Sequence, residues 1–191
     1  MPNKNFATLN PNALGPGLAL DLGNLVVTTD QIGLDAGRSV LSTIPKAVGQ
    51  VYAECYFYSQ FRGDLSGLCA FGLAETDAPL DEMAGGASGK SYAFRPADGG
   101  IWNAGSEIDS GSTLAVAERR CLGLSVDFDR IGAPLATWYL EGSQIGYVDL
   151  PTDKFWVLIV SVGCGDQAAG DLSAFVNFGQ RAFENQPAPI V

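Results

Sequence analysis

The 191-residue chain contains no histidine, and only 17% of its residues are charged. Without imidazole it lacks the commonest general base and the commonest transition-metal ligand, so serine–histidine or cysteine–histidine catalysis and zinc–histidine sites are excluded. Basic residues are also scarce. Eleven Lys and Arg stand against 21 Asp and Glu, a net charge of −10, which opposes the phosphate neutralisation from which nucleic-acid binding draws its affinity. The same balance disfavours anionic membrane surfaces, and it suits solubility. No apolar run approaches the ~20 residues that span a bilayer, and the opening MPNKNFATLNPN has no apolar core of a secretory leader. Neither membrane insertion nor secretion by a signal peptide is expected. Four cysteines, Cys55, Cys69, Cys121 and Cys164, each lie in an apolar run and form none of the close pairs that zinc sites use. They read as free buried thiols of a chain made in a reducing cytoplasm. A Cys55–Cys69 approach across a hairpin is the alternative.

What is present in quantity is apolar residues (47%), 24 Gly and 10 Pro. That composition suits many short strands joined by turns, so the fold class is all-β, in one domain. The clearest pattern is a meander from Cys121 to Asp149. Leu122, Leu124, Val126 and Phe128 alternate at period two, and Ala136–Leu140 and Ile145–Val148 flank the turn Glu141-Gly142-Ser143-Gln144. Leu18–Thr29 reads as a first hairpin about Leu22-Gly23-Asn24, and Arg38–Thr43 as a short strand. Val51–Gln60 reads as a long strand with Ala53, Cys55 and Phe57 on one face and Tyr52, Glu54, Tyr56 and Tyr58 on the other. The tyrosines suggest either a sugar-stacking platform or a second, covered sheet face. The turn Arg62-Gly63-Asp64 leads into a small-residue strand, Leu68–Leu73. Phe155–Val162 is an almost unbroken apolar run, the mark of a strand buried on both faces. Residues 1–18, with Asn10-Pro11 and Gly15-Pro16-Gly17, read as an extended arm, 19–184 as the domain, and 185–191 as a Pro-containing tail. Eleven to thirteen strands at spacings of ~8–12 residues predict a β-sandwich.

Candidate sites fall on loops. Ala78–Lys90 is Gly-rich, polar and aperiodic, the sort of irregular segment on which binding sites usually lie. The following hairpin, Ser91–Trp102, brings Tyr92, Arg95, Asp98, Trp102 and Asn103 toward one tip, an aromatic plate with polar groups suited to a peptide or carbohydrate ligand. The competing reading of Trp102 is a plug at one end of the core. Asp127 and Asp129, two apart with Glu141 or Asp149 to help, are candidates for a hard cation or a glycosidase pair. Turn chemistry is the better account of them on an acidic chain, so neither a metal nor a cofactor is expected.

Several segments resemble the SPRY domain family: Leu122–Asp129, an apolar strand ending in an acidic turn; Thr137-Trp138-Tyr139-Leu140-Glu141-Gly142; Leu150-Pro151; Tyr52-Ala53-Glu54-Cys55; and Asp98-Gly99-Gly100-Ile101-Trp102-Asn103. The resemblance runs over residues 38–183 and keeps the family's order. The closing VNFGQRAF, Val176–Phe183, resembles the last strand of SPRY proteins encoded by tailed bacteriophages and prophages, with Ala182 where a proline is usual. The resemblance implies a SPRY-like bent β-sandwich of two antiparallel sheets, binding without catalysis, and peptide recognition by loops at one end. It also implies a virion component in the tail, tail tip, baseplate or fibre region, made in a bacterial host cytoplasm. Such a component is oligomeric within an assembly, bound to other virion proteins and to a host surface glycan or protein. An intracellular peptide-binding adaptor is the alternative. Arg181, inside the closing motif, is expected to be structural.

Overall fold

The structure is a computed structural model that describes residues 7–29, 37–59, 69–109, 120–163 and 172–185. Those residues form fourteen strands and no helix. In chain order they are β1 (Leu9–Leu14), β2 (Leu18–Asp21), β3 (Val26–Thr29), β4 (Arg38–Ser42), β5 (Gln50–Ser59), β6 (Ala70–Glu75) and β7 (Ser91–Arg95). There follow β8 (Gly100–Asn103), β9 (Ser106–Asp109), β10 (Cys121–Asp127), β11 (Leu135–Leu140), β12 (Ser143–Asp149), β13 (Trp156–Val162) and β14 (Leu172–Asn177). Two seven-stranded sheets result, with strand orders β1-β4-β13-β6-β7-β8-β9 and β12-β11-β10-β5-β14-β3-β2. Every pairing between them is antiparallel.

The expected meander is the β10–β11–β12 edge of the second sheet. Its tight turn is Glu141-Gly142, both at positive φ (51° and 79°), the pairing that matches a two-residue hairpin to the twist of its strands. Alternation places Leu122, Leu124, Val126 and Trp138 inward, against Phe71, Leu73, Trp156, Leu158 and Val160 of the first sheet. The indole of Trp138 donates from Nε1 to the Phe71 carbonyl at 2.9 Å, so its one polar atom is satisfied inside the core and ties the sheets together. Cys55, on β5 of the second sheet, and Cys69, just before β6 of the first, are both buried and do not face each other across a hairpin. Arg62-Gly63-Asp64, Cys164 and the tail beyond Asn185 lie outside the described residues.

Two expectations change. The arm through residue 18 is largely sheet, since β1 pairs with β4 and Leu9 is fully buried. Pro11 is tolerated there because β1 is an edge strand with an irregular register, where no ladder N–H is needed. The Ala78–Lys90 segment is not an open loop. Ala78 and Ala84 pack on Leu41, Ala70, Ala74, Ala93, Val157 and Ile159 to make a second core on the outer face of the first sheet. Its backbone is pinned there: the Ser39 hydroxyl donates to the Glu82 carbonyl (2.7 Å), the Ala84 amide to Ser161 Oγ (2.8 Å), and the Gly85 amide to Ser91 Oγ (2.8 Å). This cover explains why β13 is buried along its whole length.

On the outer face of the second sheet, the reading of a covered face holds around Glu54. Glu54, polar by alternation on β5, is 0% exposed. The chain after β14 turns back over it. Asn177 Oδ1 accepts the amides of Gly179 (3.0 Å) and Arg181 (3.3 Å), and Gln180 Oε1 accepts that of Phe178 (2.7 Å). Residues 183–185 then cross β5 as a strap. Glu54 receives the amides of Glu184 (3.1 Å) and Asn185 (2.9 Å), the Tyr56 hydroxyl (3.2 Å) and Asn177 Nδ2 (3.4 Å). Phe183 meets Tyr52 edge-on at 4.8 Å. Gly123 makes room, because a Cβ there would lie 2.4 Å from the Tyr52 hydroxyl oxygen. Arg181 lies over the Phe175 ring at 4.4 Å, a structural role.

All the partners of Glu54 are donors, so an amide at this position would point N–H groups at N–H and O–H groups. Glu54→Gln is expected to cost about 2–4 kcal/mol, nearly as much as Glu54→Ala, because buried donors lose their acceptor. Urea unfolding of the two variants beside the parent chain checks this, and a near-neutral Glu54→Gln would refute the donor-only arrangement.

Candidate functional site

Of the hairpin candidates, Arg95, Trp102 and Asn103 come together and Tyr92 does not. Arg95 and Trp102 project from the outer face of the first sheet, the guanidinium carbon 4.2 Å from the indole centroid. Arg95 Nη2 reaches the Ala84 carbonyl at 3.4 Å, and Asn103 Nδ2 donates to the carbonyls of Gly89 (3.0 Å) and Ser91 (2.9 Å). Gly85, at φ +77°, passes so close that a Cβ would lie 2.7 Å from that of Trp102. These side chains clamp the 78–90 cover. Burial lowers the Arg95 pKa, opposed by Asp98 and Glu82. Tyr92 points inward to Trp156, with ring centroids 5.7 Å apart, and burial raises its pKa. Asp98 is exposed at the turn.

The acidic candidates are turn formers. Asp127 Oδ1 accepts the Asp129 amide at 3.1 Å, and Asp129 Oδ1 accepts the Gly49 amide at 2.9 Å. Asp149 pairs with Arg130, while Glu141 accepts the Cys121 amide at 2.7 Å and Arg120 Nε at 3.1 Å. No group of three potential metal ligands occurs among the described residues.

A different site emerges at one end of the sandwich, where the sheets part. An open cavity of about 180 Å³ has Leu73, Trp156 and Leu158 on one wall and Val51 and Val126 on the other, with Phe128 and Phe178 beside them. Ser42, Ile44, Lys46 and Tyr52 complete the lining. Hydrogen bonds fix the surrounding loops. Lys46 and Trp156 exchange backbone bonds (2.7 and 2.8 Å), and the Phe128 amide donates to the Gly49 carbonyl at 3.0 Å. On those loops stand Val48, Ile131 and Phe155, 72%, 99% and 64% exposed. Tyr52 is held by the strap, its hydroxyl 3.1 Å from the Asn185 carbonyl. Burial first, then the Glu54 charge, pushes the Tyr52 phenol far above its ordinary pKa. Burial likewise raises the neighbouring Cys121 thiol to about 11, so neither group is a nucleophile near neutrality.

Residues 44–49 carried no motif in the sequence, and Phe155, expected to open the doubly buried strand, stands just outside it and is exposed. The available signal was single large apolar residues between turn formers, as in Ala47-Val48-Gly49 and Arg130-Ile131-Gly132. Isolated exposed apolar residues are ordinary, and only the fold shows that these three share one end.

The two sheets, their strand order and the covered outer faces make this a SPRY-like β-sandwich. The SPRY domain of human HERC1 matches with a TM-score of 0.70 at 12% sequence identity, over 91% of this chain and 99% of that one. The TRIM65 PSpry domain matches with a TM-score of 0.65 at 12% identity, over 91% and 92%, and a human SPRY domain with 0.64 at 12%, over 88% and 99%. At that identity the likeness is one of fold. No protein-family model and no curated protein matches the sequence.

The clamp yields a prediction. Trp102→Ala is expected to release the 78–90 cover, so that limited proteolysis cuts within 78–90 at least about tenfold faster while the sheets stay folded. Unchanged cutting would show that Trp102 does not hold the cover.

Proposed function

We propose that the protein is a non-catalytic interaction module that takes a side chain of a partner's peptide segment into the end cleft between its sheets. The observation that carries this reading is the open apolar cavity lined by Val51, Leu73, Val126, Trp156 and Leu158, with exposed Val48 and Phe155 one to three residues along the chain from lining residues. Peptide recognition by loops at one end is what the SPRY resemblance implies, and the other large faces support the same choice. The cover occupies the first sheet's outer face, and the strap crosses that of the second. The carboxylates that a hydrolase would need are engaged in turns or ion pairs.

The setting we propose is a bacteriophage or prophage virion, in the tail, tail tip or fibre region, with the module bound to other virion proteins or to a host surface molecule. This setting rests on the resemblance of Val176–Phe183 alone. An intracellular adaptor would use the same cleft. Mass spectrometry of purified particles separates the two, because a virion component is present in stoichiometric amounts and an adaptor is absent.

The cleft itself is tested by selecting binders from a random twelve-residue peptide library and mapping one by NMR on the full chain. Shifts are expected at Ile44, Val48, Phe128 and Phe155. Shifts confined to Arg95, Trp102 and Asn103 would move the site to the hairpin and overturn the cleft.

A further inference from the structure

A buried hydrogen-bond donor without an acceptor belongs to the wall of the end cleft. Trp156 is 2% exposed and lines the cavity, and its Nε1–H, itself buried, has no partner among the described residues. Trp138, also in the core, gives its N–H to the Phe71 carbonyl. Trp102 Nε1 is unpartnered too, but it belongs to the clamp on the outer face of the first sheet. A buried N–H left unmet is costly, and native chains seldom leave one so. The Trp156 ring is held in place. Its backbone exchanges two bonds with Lys46, and its ring meets that of Tyr92 edge-on at 5.7 Å.

Ser42 shares the lining and is 4% exposed. Its Oγ accepts the Leu158 amide at 3.0 Å, which leaves a proton and a lone pair uncommitted. Exposed Lys46 has solvent for its ammonium, and the Tyr52 hydroxyl is engaged by the Asn185 carbonyl. The remaining walls, Val51, Leu73, Val126 and Leu158, offer hydrocarbon only. An apolar chamber with one unmet N–H and one half-used hydroxyl calls for an apolar body that carries an oxygen.

Volume sets the size of that body. At about 180 Å³ the cavity is smaller than the ~300–1,000 Å³ of small-molecule sites, and it is close to the ~150 Å³ apolar cavity that holds one benzene ring.

We infer that the end cleft is a site for an aromatic hydroxyl, the phenol of a tyrosine in the partner's segment. Its ring lies between the apolar walls, and its oxygen accepts the Trp156 Nε1–H with Ser42 Oγ as the second partner. A phenylalanine fills the same space and leaves the N–H unmet, so the cleft selects tyrosine over phenylalanine. This inference rests on the end cleft being the interaction site.

Phenol and toluene are the probes, because they match in size and differ in the hydroxyl. Each is titrated into the ¹⁵N-labelled full chain, with the Trp156 indole resonance assigned by its loss in Trp156→Phe. A purely apolar cavity prefers toluene, the less polar of the two. Phenol is instead expected to bind at least about tenfold more tightly, and to move the Trp156 Nε1–H resonance downfield while those of Trp102 and Trp138 stay. In Trp156→Phe, shown to be folded by circular dichroism, the preference is expected to fall within about twofold. If that variant does not fold, the phenol-to-toluene ratio and the indole shift on the parent chain decide. Toluene bound as well as phenol or better, with shifts at Val51 and Leu158, leaves the cleft standing and overturns the hydroxyl site. Shifts from neither probe at any lining residue defeat the cleft and with it this inference.

Discussion

A buried carboxylate with only donors around it is the constraint on which much of this molecule depends. Glu54 sits at the centre of the second sheet's outer face, and the chain must return from β14 to supply two of its partners from the backbone of residues 184 and 185. Burying an ionisable group without partners costs several kcal/mol, so the strap and the sheet are mutually required. The consequences spread outward from there. Phe183 packs on Tyr52, whose hydroxyl meets the Asn185 carbonyl, and Gly123 is small because Tyr52 lies across it. Tyr52 is also among the residues that line the end cleft.

The same economy operates on the first sheet with different chemistry. There the outer face is small and apolar, Ala70, Ala74, Ala93 and Gly72, so the 78–90 segment can lie flat on it, held by Ser39, Ser91, Ser161, Arg95 and Asn103. Gly72 is required by close approach, since a Cβ there would lie 1.9 Å from the Tyr92 carbonyl oxygen. With segments of the chain lying on both broad faces, the ends of the sandwich are where the described structure opens. At one of these the sheets separate around an apolar floor.

Much of the fold was legible because alternation and turn chemistry are local. The meander, the first hairpin, the long strand β5 and the doubly buried β13 all follow from period-two patterning and from glycine at turns. Strand β9 was not legible: its turn is Ala104-Gly105, with Ala104 at φ +50°, where the recognisable spelling is Asn-Gly or Asp-Gly. Strand β1 was hidden by Asn10-Pro11-Asn12, turn formers that an irregular edge strand accepts. Alternation put Glu54 on the tyrosine face of β5, but it says which face a side chain takes, not what later chain covers that face. The same blindness made Ala78–Lys90 look like an open loop and made Arg95, Trp102 and Asn103 look free to bind a ligand. The end cleft depends on segments distant in the chain, such as Gly49 and Asp129, 80 residues apart, and no local pattern encodes that meeting.

If the strap is an integral part of the sandwich, the amide hydrogens of Glu184 and Asn185 are among its best protected, despite their place near the C-terminus. Native-state hydrogen exchange of the full chain measures this directly. The account predicts that these two amides exchange only with opening of the sheet around β5, at the same free energy as the amides of Glu54 and Cys55. Exchange at the rate of an unstructured tail would show that the strap is not held by Glu54, and the account of how this fold closes would fail.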